Sequence, residues 1–268
     1  MAPQPVVGFW ERHTSTIDWC EENYAVTTYI AEFWNTVSNC VLIIGPLVML
    51  SQGLKHNMER RYIIAFSVIS VIGIGSLLFH MTLRYSMQLM DEVPMLWGSA
   101  AFIYAGLTVK SDERSDHTVL QAVLYGMCFC ISLVYILQPI PLILQISYAV
   151  LNLAVIILST HMMLTMESVK RIFLLGLLSY MTGFLLWSID YAYCSHLRYI
   201  RETQIARFSG MMFQLHAWWH IFTGTGAYLG LLFTVHTRYL YFQRNPQIKF
   251  VFGIWPYVYL PQRSLKTP

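Results

Sequence analysis

Apolar residues fall in long runs along this chain, divided by short polar stretches, and seven runs are long enough to cross a bilayer. They cover roughly 33–51, 62–82, 92–109, 118–137, 140–162, 172–193 and 215–237. A hydrocarbon core of about 30 Å takes ~20 residues of helix, so each run predicts one transmembrane helix. The tightest connection falls between the fourth and fifth, where Gln138-Pro139-Ile140-Pro141 must serve as a turn. About thirty polar and aromatic residues come first, with no charged-then-apolar signal peptide, so the first span is expected to direct insertion. The expected fold class is an all-α integral membrane protein of seven helices. Residues 1–268 read as a single domain, with a segment 1–32 before the helices and a tail 238–268 after them.

Two of the runs are interrupted by polar residues at helical spacing: Ser76-Leu-Leu-Phe-His80 and His216-Ala-Trp-Trp-His220. Residues four apart lie on one helical face, ~6 Å apart along the axis. A lone serine or histidine in a membrane helix usually bonds to a neighbouring helix. Three histidines from two helices instead match a zinc site with three protein ligands and an open fourth position. The predicted topology puts them at one depth. The second helix ends near His80, the third opens on Asp91 and Glu92 just ahead of Pro94, and the seventh enters through Gln214, His216 and His220.

Zinc on these histidines would lower the pKa of bound water toward ~7 and polarise a carbonyl. Soluble zinc proteases carry their proton acceptor as the Glu of His-Glu-x-x-His, but the corresponding position here is Ala217. Asp91 is then the nearest candidate base. Glu92, about a quarter turn around the helix, comes second. The Ser76 hydroxyl suits a hydrogen bond to the attacking water or to a developing oxyanion. Trp218 and Trp219 read as interfacial anchors or packing, and His161 and His236 as snorkelling or capped residues.

Composition agrees with a membrane protein: 56% hydrophobic, 12% charged, and a mean hydropathy of +0.50. Basic residues then orient it. Lys55, Arg60, Arg61, Lys110, Arg114, Lys170, Arg171, Arg238, Arg244, Lys249, Arg263 and Lys266 fall on one side, twelve of the seventeen. Arg12, Arg84, Arg198, Arg201 and Arg207 fall on the other, the last three as a counter-signal. The C-terminus is therefore expected in the cytosol and the N-terminus in the lumen or outside. The net charge of +3 reflects this basic face and says nothing of nucleic acid. No nucleic-acid partner and no obligate protein partner are expected.

Cys40, Cys128 and Cys130 lie within spans and read as small buried apolar residues. Cys20 and Cys194 share the lumenal side, where disulfides persist, and geometry decides whether they pair. The same side carries Thr16-Ile-Asp18-Trp-Cys-Glu21-Glu22-Asn23-Tyr24, with Glu32 at the mouth of the first helix. These oxygen ligands suit a hard cation such as calcium, though the spacing is not that of an EF-hand. An acidic cap at the helix N-terminus is the alternative reading.

Five stretches together resemble the alkaline ceramidases, close to their phytoceramidase branch. They are Ser-Thr-Ile-Asp-Trp-Cys-Glu-Glu-Asn-Tyr (15–24), Ile-Ala-Glu-Phe-Trp-Asn-Thr-Val-Ser-Asn (30–39), Gly-Ser-Leu-Leu-Phe-His-Met-Thr-Leu (75–83), Met-Asp-Glu-Val-Pro-Met (90–95) and Gln-Leu-His-Ala-Trp-Trp-His-Ile-Phe-Thr-Gly (214–224). The wider superfamily also holds the progestin and adipoQ receptors. The resemblance implies zinc on His80, His216 and His220, assisted by Asp91 and Ser76. It implies calcium on Asp18, Glu21, Asn23 and Glu32 with the Trp19 carbonyl. It also implies hydrolysis of ceramide, drawn from the lipid bilayer, to a sphingoid base and a free fatty acid, in the endoplasmic reticulum and Golgi. The alternative is a seven-helix receptor of adipoQ type with structural zinc. A lipid-binding scaffold without catalysis is the third reading.

Overall fold

The computed structural model describes residues 7–113, 115–203 and 210–261. Arg114, Arg207, Arg263 and Lys266 of the charge balance lie outside the described residues. The chain is mostly helical: α1 (Phe33–Ser38), α2 (Cys40–Lys55), α3 (Arg60–Thr82), α4 (Tyr85–Leu107), α5 (Thr118–Leu137), α6 (Pro141–Thr165), α7 (Lys170–Ala192), α8 (Cys194–Thr203) and α9 (Leu215–Tyr241). Among the described residues, five stretches are long and apolar enough to cross a membrane: Phe33–Lys55, which joins α1 to α2, and α3, α5, α6 and α7. The two other long helices, α4 and α9, carry Asp91, Glu92, His216 and His220.

The run boundaries need one correction of consequence. The third helix opens at Tyr85, seven residues before the expected start, so Pro94 lies inside it rather than in its first turn. A proline within a helix removes the bond to the carbonyl four residues back, here that of Met90. Gly75 of α3 packs directly against that carbonyl, where any larger side chain would collide. The pair lets α3 and α4 approach closely next to Ser76 and Asp91. Pro94 therefore marks a packing contact and not a helix start.

The chain is also not purely helical. After α9, strands β1 (Gln247–Val251) and β2 (Trp255–Tyr259) form an antiparallel hairpin, with Val251 opposite Trp255. Aromatic and β-branched residues on both sides of Gly253, which holds a positive φ of 72°, explain it. Val258 and Leu260 of this segment join the main core with Met49, Tyr62, Phe66 and Leu231. The tail thus returns into the bundle rather than leaving it.

Two more expectations change. Cys128 is buried, but Cys40 and Cys130 face outward from the helices, as small apolar residues in contact with lipid can. His236 is buried rather than snorkelling.

At the end of the bundle where α2 finishes, Arg238 of α9 is wholly buried. It grips Glu59 with two donors, at 2.8 and 3.0 Å, and donates to the carbonyls of Val109 (2.9 Å) and Ser111 just past α4. Arg61 adds a third contact to Glu59 at 3.0 Å. Cations at a helix C-terminus are favoured by the carbonyl dipoles, so one guanidinium ties α3, α4 and α9 together there.

Candidate metal centre

His80 stands in the last turn of α3, and His216 and His220 stand one turn apart at the start of α9. Their candidate ligand nitrogens all lie within 4.8 Å of one another, and the three side chains are buried. Among the described residues this is the only group of three or more His, Cys, Asp or Glu side chains gathered so closely.

The other ring nitrogens are held from outside the cluster. His80 Nδ1 lies 2.5 Å from Glu32 Oε2, which accepts its proton. His220 Nδ1 lies 2.8 Å from Ser38 Oγ. That hydroxyl already donates to the Asn35 carbonyl at 2.9 Å, so it accepts from the imidazole. Both rings are thereby fixed in the tautomer whose Nε2 lone pair is free, the outer arrangement that metal-binding histidines use. The ring of His216 stacks under Trp19 at 4.0 Å. The donor chemistry fits zinc: three neutral imidazoles, two with locked tautomers, and no fourth protein ligand in the group.

Asp91 and Ser76 meet across the α3–α4 contact made possible by Gly75, and the serine hydroxyl bonds the carboxyl. Both line, with His216 and His220, a cavity of about 320 Å³ that reaches between α6 and α7. Its wall is largely apolar, with Leu153, Ile156, Met181 and Phe184 among its side chains. Glu92 does not turn away from the cavity as expected. It lines the wall too, where it accepts hydrogen bonds from Tyr135 and, at 3.0 Å, from Gln88. Both of these bonds fall on Oε2, and they turn one oxygen of the Glu92 carboxyl toward Tyr135 and Gln88. Trp219, expected as an interfacial anchor or packing residue, lines the cavity beside Trp187 at 6.1 Å. Helical spacing alone could have placed it there, since it lies three residues after His216 and shares its face.

The acidic segment is wrapped onto this cluster. Cys20 and Cys194 form a disulfide. Arg198 donates to the Trp19 carbonyl at 2.9 Å and to that of Cys20 at 3.0 Å. Arg201 pairs with Glu22 at 2.9 Å. These two arginines explain the charge counter-signal, because they hold the segment down. Glu21 accepts the backbone N–H groups of Trp34 and Asn35 at 2.8 Å each, capping α1. Glu32 accepts from the Trp19 backbone (3.2 Å) and the Asn35 amide (2.9 Å) besides His80. Burial pushes both the Glu21 and Glu32 carboxyls up to about 8. Asp18 accepts from the Asn23 amide at 3.1 Å, while the buried Asn23 Oδ1 has no partner. The segment therefore combines a helix cap with unfilled oxygen ligands. Spacing could not show that Glu32 and Ser38 reach the histidines, since both contacts depend on tertiary packing.

Comparison with known proteins bears on the whole chain. A family model described as Ceramidase matches residues 11–263. Alkaline ceramidase 3 of Mus musculus is 40% identical over 259 residues, covering 96% of this chain and 97% of the relative. Alkaline ceramidase YPC1 of Saccharomyces cerevisiae is 30% identical over 96% of this chain and 86% of its own length. The alkaline ceramidase of Arabidopsis thaliana is 31% identical over 94% and 95%. All the segments just described, from the acidic N-terminal stretch to the hairpin, fall within the matched residues, and the chain belongs to the ceramidase family.

Proposed function

We propose that this chain is an intramembrane zinc-dependent amidase that hydrolyses ceramide to a sphingoid base and a free fatty acid. The observation that carries this reading is the gathering of His80, His216 and His220, of which His216 and His220 line an apolar cavity together with Asp91. His80, His216 and His220 would hold the zinc ion. When bound, zinc supplies Lewis-acid polarisation of the amide carbonyl and an acidified water.

The residues of the chain divide the remaining work. Asp91 accepts the proton of the attacking water and returns it to the leaving amine, the usual two-way role of a general base. Ser76 donates to the Asp91 carboxylate before attack and, once Asp91 carries the proton, turns its hydroxyl to the developing oxyanion. Glu32 and Ser38 keep two histidines in the ligating tautomer. The gap between α6 and α7 takes the alkyl chains, so that an amide with two long tails enters sideways from the bilayer and places its polar head at the histidines.

In this reading α4 and α9 also cross the membrane, giving seven spans in one domain over residues 1–268. The N-terminus is lumenal and the tail cytosolic, in the endoplasmic reticulum and Golgi; the Cys20–Cys194 disulfide supports the oxidising side for the site end. Asp18, Glu21, Asn23 and Glu32, with the Trp19 carbonyl, would hold calcium. The buried, unpartnered Asn23 Oδ1 supports this, and Trp19 would have to share its carbonyl with Arg198. The adipoQ-type receptor reading gains nothing from relatives that are named ceramidases or from a retained acid beside an open three-histidine group.

The deciding experiment gives purified protein a ceramide labelled in both halves. Sphingoid base and fatty acid should appear in equal amounts. Tight ceramide binding with no release of either product would favour the receptor or the scaffold.

A further inference from the structure

The C-terminal hairpin climbs along α2. Just past the end of α2, the His56 ring lies 4.9 Å from that of Tyr259. Further up, the Val258 N–H donates to Met49 Sδ at 3.2 Å. At the top, the Trp255 indole rests on Gly45, where a side chain would collide with it. The Tyr228 ring of α9 lies tilted against the same indole, 4.9 Å away, and its hydroxyl donates to the Pro256 carbonyl at 2.5 Å. From His56 to Gly45 a helix rises ~16 Å, and from Tyr259 to Trp255 a strand rises ~13 Å. The two estimates agree. The turn of the hairpin thus sits about halfway up a hydrocarbon layer of ~30 Å, beside a stretch apolar enough to cross it.

At that height the turn presents its largest apolar side chains outward. Phe252 is 96% exposed, Ile254 80% and Phe250 57%. They continue the outward apolar face of α2, where Ile44 and Leu47 are exposed at the same level. The basic residues Lys55, Arg60 and Lys170 mark helix ends at least ~15 Å below.

We propose that the hairpin Gln247–Tyr259 is a re-entrant element whose turn, through Phe250, Phe252 and Ile254, inserts into the acyl chains of the leaflet at the α2 C-terminal end. The backbone accommodates this. Ile254 N–H bonds the Val251 carbonyl at 3.1 Å within the turn, and the inner strand is covered by α2 and α9. The free edge of β1 is costly in lipid, but its lower half, Gln247 and Lys249, lies toward His56 and the polar boundary. The Lys249 ammonium sits over the Tyr259 ring at 3.6 Å, from where its long stem can keep the charge at the interface.

The test uses full-length chain in phospholipid nanodiscs, with Cys40, Cys128 and Cys130 replaced and the Cys20–Cys194 disulfide kept. Phe252→Cys carries an environment-sensitive fluorophore, and Asn245→Cys, before the hairpin, is the control. Phe252 packs against nothing in the fold, so the substitution spares the core. The label at 252 should emit blue-shifted, be quenched by a nitroxide at mid-chain of the lipid, and resist aqueous iodide; the control should show the reverse. Iodide quenching of 252 as strong as that of 245 overturns the proposal. So does resistance to both quenchers, which would mean that a second copy or another protein covers the turn. Hydrogen exchange on the unsubstituted chain gives an independent reading: the Phe252 and Gly253 amides should exchange slowly in nanodiscs, and fast exchange contradicts insertion.

Discussion

Where α2 finishes, the buried Arg238 meets Glu59, three backbone carbonyls and the company of Arg61, all supplied by the chain. At the other end of the bundle Glu21, Glu32, Asp91 and Glu92 are buried around three buried histidines. Among the described residues none of those four carboxyls forms an ion pair with lysine or arginine; the one pairing is Glu32 with His80. Buried charge is costly unless paired. One end completes its electrostatics from within the sequence. The other leaves buried carboxyls and imidazole lone pairs facing one another without a basic side chain among them, an arrangement that bound cations would complete. The difference separates a structural clasp from a site.

The comparison breaks first at the histidines. His80→Ala, His216→Ala or His220→Ala should each reduce ceramide hydrolysis to background and lower bound zinc, as measured by product release and elemental analysis on the same sample. Arg238→Met, at the other end, should leave turnover per folded molecule near that of the parent.

Asp91→Asn comes next. It keeps size and should keep zinc, yet lose on the order of 10⁴-fold in turnover, the upper range for a general base. Ser76→Ala should lose on the order of 10²-fold, as for one oxyanion donor. Unimpaired turnover in Asp91→Asn would move the base to Glu92.

Stability sharpens the comparison from the opposite end. Removing Arg238 leaves Glu59 with Arg61 as its remaining ion-pair partner, so the break costs less than the ~3–5 kcal/mol of a buried charge left with no partner. Denaturation of Arg238→Met should show that loss, and Arg238→Met with Glu59→Gln should recover part of it. Equal loss in single and double variants would mean that the carbonyl contacts, rather than the ion pair, hold that end.

The smallest effect is expected at Glu32. Loss of a carboxylate behind a ligating histidine costs about 10–100-fold in metal affinity, so Glu32→Ala should bind zinc more weakly by that factor. Calcium should raise the melting temperature of the parent and not of this variant. If calcium stabilises both equally, the carboxyls act as a helix cap alone.

How far the sequence could be read follows from the range of each interaction. His216 and His220 share a helix face by spacing alone, and His80 reaches them because α3 ends where α9 begins, which the order of apolar runs anticipates. Pro94 was ambiguous because a proline suits a first turn and also tolerates a helix interior when a glycine such as Gly75 faces the freed carbonyl. The hairpin was hidden in a tail read by charge, where Phe250, Phe252 and Ile254 are too few to register as an apolar run. Glu32 on His80 and Ser38 on His220 join residues 48 and 182 positions apart, and no local pattern encodes such pairs.

The claim at the centre of this account is that zinc on the three histidines is required for amide hydrolysis. Its most direct test strips purified protein with a chelator, then restores zinc stepwise while metal content and fatty-acid release from labelled ceramide are followed together. The account predicts that turnover vanishes on stripping and returns in proportion to occupancy, saturating near one zinc per chain. Undiminished turnover in protein free of zinc would contradict it.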